Sequence, residues 1–290
     1  MQRWASGPNT SKVTPLAVPE FWGVLNWQSA AHNPRAQPGR FRSAGARLTP
    51  ILPLAHQFGM DRIENCRAPR IIMRQFECRA ILFDLDGVLV DSMAYVEEQW
   101  RRWAATKGLP AEPFLQVCHG RRALETIRLA APDLDAVAEV AALQDDVFSC
   151  ATIKPIEGAT ALLGLLPHQS WGVATSGPRA AAAARLQQAG LPIPQVLICA
   201  EDVRHGKPEP DVYLRAAEAL AVFPSDCVVI EDSPAGIQAA RAGGMRAIAL
   251  TTTHGREELE ADAWASSLAV IQATVVKHQD GARFIRLLVP

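Results

Sequence analysis

"RAILFDLDGVLVDS", residues 79–92, begins as a short apolar run and delivers two carboxylates, Asp84 and Asp86, one residue apart where that run ends. The run "AILF" (80–83) has no polar residue on either face, which marks a strand buried on both sides, and Gly87 allows a sharp turn directly after the acids. Further runs of this kind are "WGVAT" (171–175), "QVLIC" (195–199), "CVVIE" (227–231) and "RAIAL" (246–250). Between the last four lie "PRAAAAARLQQAG", "PDVYLRAAEALA" and "SPAGIQAARAGG", each with a helix start signal and two of them ending in Gly. Short apolar strands alternating with helices predict an α/β fold, a doubly wound parallel sheet covered on both faces.

The stretch between the first two strands reads as helix only. "SMAYVEEQWRRWAATKGL" places Tyr95 or Val96, Gln99 or Trp100, and Trp103 on one side, and "RALETIRLAA" and "LDAVAEVAALQDDVFSCA" follow. This predicts an all-helical cap, residues 92–156, inserted into a core formed by residues 73–91 and 157–290. An insertion directly after the first strand stands above the carboxyl end of the sheet, where ligands bind in such folds, and so acts as a lid.

Asp-Leu-Asp recurs at residues 133–135, after Pro132 and before "AVAEVAAL". There Asp133 or Asp135 caps or charges a helix N-terminus. Asp84 and Asp86, by contrast, reach the edge of a sheet together, and two acids this close repel unless a cation or a shared proton intervenes. A Mg²⁺ site is the expectation. Three more segments fall at later strand ends: Thr175 and Ser176 before Gly177, Lys207 in "HGKPEPDVY", and Glu231 with Asp232 in "CVVIEDSPAG". Taken singly, each has an ordinary role as a helix cap or a solvated side chain. Those roles do not account for such groups at successive strand ends of one parallel sheet.

The ordered set "FDLDGVLVDS", "VATSG", "GKPEPDVY" and "VVIEDSPAGIQAARAGG" resembles the haloacid dehalogenase-like hydrolase superfamily, in the subgroup with a helical cap. The resemblance covers residues 79 to about 253 and implies a Rossmann-like core. It also implies Asp84 as the nucleophile that forms an aspartyl phosphate, and Asp86 as the acid that protonates the leaving alkoxide and then takes the proton of the attacking water. Mg²⁺ would be held by the Asp84 carboxylate, the Asp86 backbone carbonyl and Asp232, with Glu231 a water-mediated ligand or one step removed. Thr175 and the amides near Ser176 and Gly177 would hold the phosphate, and Lys207 would offset the clustered negative charge. An acid two residues after the nucleophile favours phosphoryl transfer over dehalogenation, because a departing halide needs no proton whereas a sugar alkoxide does.

The cap segment "VCHGRRALETI" carries His119, Arg121 and Arg122, of which His119 and Arg122 are expected to reach a phosphorylated polyol, the choice between Arg121 and Arg122 being open. This segment looks similar to small sugar-phosphate and glycerol-phosphate phosphatases, so the expected activity is hydrolysis of small sugar or polyol phosphate monoesters. The alternative is a β-phosphoglucomutase-type phosphomutase, a group that uses a lysine just after the serine of the second motif. Here that stretch offers Gly177, Pro178 and Arg179, which favours hydrolysis. A catalytically silent binding or regulatory protein would be expected to have lost Asp84, Asp86, Lys207 or Asp232, and all four are present.

Residues 1–72 differ from the rest, with nine Lys/Arg against three acids, eight of the 21 prolines and no sustained periodicity. We read them as upstream sequence or a disordered, non-native extension, with an Arg-rich transit peptide as the other possibility. The remainder carries 20 bases against 27 acids, and the whole chain has a formal charge of -1. That balance offers no electrostatic footprint for nucleic acid or an anionic membrane. Six cysteines show no CxxC pair and no zinc spacing, and no apolar run approaches the length of a membrane span. The expectation is a cytoplasmic monomer with a small-molecule partner, organellar if residues 1–72 are a transit peptide. The tail "SSLAVIQATVVKHQDGARFIRLLVP" is open between an edge strand and a short helix.

Overall fold

The structure, a computed structural model, describes residues 72–143, 153–279 and 281–290. The expectations for residues 1–71, and for the end of the helical segment at 144–152, lie outside the described residues. The described chain starts with β1 (Arg74–Cys78) and, past Arg79, β2 (Ala80–Phe83). The short strand β3 (Val90–Asp91) pairs antiparallel with β4 (Lys154–Pro155). Between them lie α1 (Met93–Thr106), α2 (Glu112–Leu115), α3 (Ala123–Ala130) and α4 (Ala136–Leu143). There follow α5 (Ala159–Leu165), β5 (Trp171–Ala174), α6 (Arg179–Gln188), β6 (Leu197–Ile198), α7 (Asp211–Ala219), β7 (Cys227–Glu231), α8 (Pro234–Ala242) and β8 (Arg246–Leu250). The chain closes with β9 (Ala263–Ala265), β10 (Gln272–Lys277) and β11 (Arg283–Val289).

The order β6-β5-β2-β7-β8-β9 makes one six-stranded sheet, and each of its neighbouring pairs is parallel. Its strands alternate between two apolar layers, as the period of 2 requires. Ile81 and Phe83 join Val173, Ile230 and the buried residues of α5 and α6, while Ala80 and Leu82 join Val229 and those of α7 and α8. Phe83 meets Trp171 edge-on, with centroids 6.2 Å apart. A parallel sheet lined this way leaves its polar atoms to its ends, and the carboxyl end is where the acids emerge.

Two features go beyond the sequence expectations. β9 adds a sixth parallel strand, and the undecided tail is a β-hairpin of β10 and β11 whose β11 pairs antiparallel with β1. Arg74 thereby stands opposite Val289, so the two ends of the described core close one three-stranded sheet.

The helical segment has a small core of its own. Trp100 stacks on Phe114 at 5.7 Å, and Trp103 meets that ring edge-on at 5.0 Å, with Ile127 and Cys118 buried around them. No described helix is long and apolar enough to cross a membrane.

Candidate active site

Asp84 follows β2, Thr175 follows β5, Lys207 precedes α7, and Glu231 ends β7 with Asp232 next in the chain. Because these strands are parallel, their carboxyl ends share one edge, and the side chains meet there. Lys207 is fully buried, and its Nζ lies 2.6 Å from Asp84 Oδ1 and 2.7 Å from Glu231 Oε1. Tyr213 Oη donates to the same Glu231 oxygen at 3.0 Å. The other oxygen, Oε2, accepts from the backbone N–H groups of Asp232 and Ser233, both at 2.7 Å, and from Ser233 Oγ at 2.9 Å.

One ammonium among several carboxylates leaves the site short of positive charge. Burial pushes the Asp84 carboxyl up to about 7, with Lys207 opposing and Glu231 and Asp86 adding to the rise. Burial, with Glu231 and Asp84 close by, also holds Asp232 well above the usual carboxylate range. Burial pulls the Lys207 pKa down, but Asp84 and Glu231 outweigh that and hold it well above its ordinary value. Asp84, Glu231 and Asp232 each offer an oxygen within 4.8 Å of the others, a donor set that suits a hard divalent cation. Within this set Glu231, expected as a water-mediated ligand or one step removed, is the most heavily occupied member. Its two oxygens already accept five hydrogen bonds, so its visible work is to hold Lys207 and the turn that carries Asp232. Asp84 and Asp232 are the members with oxygens to spare.

Asp86 is held from two sides. The Ser92 hydroxyl donates to Oδ1, and Arg185 Nη1 donates to Oδ2 at 2.6 Å. Gly87, with φ +78°, carries the chain past Asp232; a Cβ there would stand 2.0 Å from Asp232 Oδ2. The Asp232 carboxylate also accepts from the Thr253 hydroxyl, and His254 Nδ1 lies 3.1 Å from the Asp232 carbonyl oxygen.

The cap loop rests directly on this edge. Gly120 adopts φ +73° against Ser233, where a Cβ would come within 2.1 Å of Oγ, and its carbonyl accepts from Ser176 Oγ at 2.9 Å. Ser176 is thus a tie between cap and core, while buried Thr175 Oγ1 accepts from Gly177 N at 3.0 Å. Beneath the loop lies a cavity of about 150 Å³ bordered by Asp86, His119, Arg121, Gly177, Arg185 and Asp232, with Val96 and Trp100 on its cap side. Burial and the nearby His254 lower the His119 pKa, with Glu97 opposing.

Arg122, expected to reach substrate, is committed elsewhere. Its guanidinium pairs with Glu125 and donates to the carbonyls of Val203 and Arg204 at 3.2 Å, so it pins the start of α3 to a core loop. Arg121 is the neighbour that borders the cavity. Arg179 also turns away, pairing with Asp202, while its backbone N–H donates to Glu201 at 3.0 Å. Arg185, Tyr213, Ser233 and Thr253 enter the site unannounced by the motif reasoning. For Arg185 there was a signal: one Arg on the face shared by Ala181, Ala182 and Leu186, directly after five consecutive alanines.

Residues 78–244 match the family model for haloacid dehalogenase-like hydrolases. The chain is 40% identical over 211 residues to hexitol phosphatase A of Escherichia coli (strain K12), covering 70% of this chain and 97% of that protein. It is 37% identical over 188 residues to glycerol-1-phosphate phosphohydrolase 2 of Saccharomyces cerevisiae, covering 60% of this chain and 75% of that protein. Among solved structures it superposes on CbbY from Rhodobacter sphaeroides in complex with phosphate. There the TM-score is 0.59 at 24% identity, over 66% of this chain and 95% of that one, a likeness of fold.

Proposed function

The chain belongs to the haloacid dehalogenase-like hydrolases, and on that premise we propose that it hydrolyses phosphate monoesters of small polyols or sugars through an aspartyl phosphate on Asp84. The observation that carries this reading is the buried contact of Asp84 with Lys207, at 2.6 Å, beside a cavity bordered by Asp86 and Asp232. The sequence relatives named for hexitol and glycerol phosphates supply the substrate class.

Asp84 and Asp232, with the Asp86 backbone carbonyl, are the groups that would hold Mg²⁺. When bound, it would neutralise charge between the carboxylates and the incoming phosphate. A carboxylate oxygen of Asp84 attacks phosphorus, and the bond from phosphorus to the ester oxygen breaks. Asp86 gives its proton to that departing oxygen. Water then attacks the phosphorus, Asp86 takes its proton, and the bond to Asp84 breaks to release inorganic phosphate. Lys207 keeps the buried edge from repelling a dianion, and Glu231 with Tyr213 keeps Lys207 aimed at Asp84. Thr175 and the turn at Ser176 and Gly177 would hold the phosphate, and His119 and Arg121, which border the cavity, would meet the polyol.

The phosphomutase alternative asks for a cation just past the second motif. Arg179 is the nearest candidate there, and its pairing with Asp202 turns it to the surface, which supports hydrolysis. The test is a screen of the purified enzyme with Mg²⁺ over polyol and sugar phosphates, β-glucose 1-phosphate among them. Free phosphate from polyol or sugar esters is the expected result; glucose 6-phosphate without free phosphate would overturn it.

A further inference from the structure

Asp86 must present one carboxylate to two different oxygens in succession, the ester oxygen as it leaves and the water as it attacks. A side chain directly before a sharp glycine turn has rotamer freedom that defeats such a task unless something fixes it. Ser92 reaches Oδ1 from the start of α1, six residues along the same chain. The second anchor comes from the opposite wall. Arg185 lies 99 residues away on α6, its side chain only 10% exposed, and its Nη1 donates to Asp86 Oδ2 at 2.6 Å.

α6 is built to deliver that guanidinium. Ala181 and Ala182 are buried one turn earlier on the same face, and Leu186 anchors the next position in the core. Small residues there leave room for the apolar stem of a buried Arg on the same face. The head emerges in the cavity wall, with Cζ 5.6 Å from the centroid of the Tyr95 ring on α1. Arg185 thus touches the core helix, the acid and the first cap helix at once.

We propose that Arg185 is the positioning residue for Asp86, holding its carboxylate over the cavity so that proton transfer to and from the ester and water oxygens occurs in line. This rests on the phosphatase reading above and deepens it, since a buried Arg in the cavity wall beside the acid could otherwise serve as a phosphate clamp. The two roles separate by leaving group. An alkoxide needs the Asp86 proton to depart, whereas p-nitrophenolate leaves with little help. A phosphate clamp serves both esters alike.

The experiment compares wild type, Arg185→Gln and Arg185→Lys on glycerol phosphate and on p-nitrophenyl phosphate with Mg²⁺, resolving the first turnover by rapid quench. Arg185→Gln should lower kcat on glycerol phosphate by about 10²-fold with KM little changed. The first p-nitrophenolate should still appear as a burst within about threefold of the wild-type rate, which also shows that the variant is folded, followed by slow turnover because water attack needs Asp86 as well. Arg185→Lys should recover part of the loss by restoring a cation at the same place. Equal losses on both esters in the first turnover, or a raised KM at unchanged kcat, would overturn the positioning role while leaving the phosphatase reading intact. A wild-type enzyme inert on both esters would overturn both.

Discussion

Asp-Leu-Asp stands at residues 84–86 and again at residues 133–135. In the first copy Leu85 is fully buried, Asp84 is 3% exposed, and beside the nearby Ser92 the acids draw partners from far along the chain: Lys207 is 123 residues away and Arg185 is 99. In the second copy both acids are exposed, and Asp135 Oδ1 accepts from Val137 N at 3.1 Å and Ala138 N at 3.3 Å, two and three residues on. One pair is part of the fold's long-range wiring, and the other starts a helix. A carboxylate becomes reactive here through what the sheet brings to it. Desolvation and a buried ammonium are tertiary facts, and a tripeptide contains neither.

The contrast is tested most severely by taking away one carboxylate oxygen. Asp84→Asn keeps the shape and removes the nucleophile, so turnover of polyol phosphates should fall by about 10⁴-fold or more, and no acid-stable, hydroxylamine-sensitive phosphoryl label should form on the protein. Asp133→Asn should leave both readouts at the wild-type level. Undiminished activity in Asp84→Asn would remove the distinction between the copies.

A second test reads the burial of the first copy through stability. The Asp84 carboxyl is raised to about 7 in the fold, against roughly 4 in an unfolded chain. The folded, metal-free protein therefore binds the proton more tightly than the unfolded chain does. The stability so contributed is fully present below about pH 4 and is lost as pH rises through about 7. Measured against Asp84→Asn, which cannot titrate there, the metal-free wild-type protein should lose on the order of a few kcal/mol between about pH 5 and 7.5 in urea unfolding. Saturating Mg²⁺ should flatten the difference, because a cation among these acids favours their charged forms. A difference that stays constant across this range without metal would mean that Asp84 is not desolvated as its burial implies.

How much of this was readable in advance follows the same division. Strand ends announce themselves locally, through an apolar run and the polar residue that stops it, so Asp84, Thr175 and the Glu231–Asp232 pair could be placed at one edge from the sequence, whereas Lys207 lies in the loop between β6 and α7. Partner choice across the cap and core could not. Arg122 and Arg121 are adjacent and chemically alike, and which one borders the cavity depends on the carbonyls of Val203 and Arg204, some eighty residues away. Glu231 reads as a water-mediated ligand or a group one step removed, but that Lys207, Tyr213 and Ser233 are its partners is visible only in the fold. The terminal sheet was hidden for a related reason: β1 is five residues long with a half-buried pattern, and its partner β11 lies at the other end of the chain.

The smallest effect belongs to the second copy, and it should be purely one of stability. Asp135→Ala removes the side chain that satisfies two N–H groups at the start of α4, which costs about 1 kcal/mol. Asp133→Ala, an exposed substitution with Asp135 still in place, should stay within about 0.5 kcal/mol. The loss at Asp135 ought to be confined to the first turn of α4, because Ala136 is buried against the cap's aromatic cluster and keeps the helix docked. Activity on polyol phosphates should then remain within about twofold, even though Val140 and Leu143 farther along α4 border the cavity. A larger fall in kcat/KM in Asp135→Ala, with Asp133→Ala unaffected, would mean that fraying at the helix start reaches those two residues. The second Asp-Leu-Asp would then act on the reaction after all, through the shape of the lid rather than through its charge.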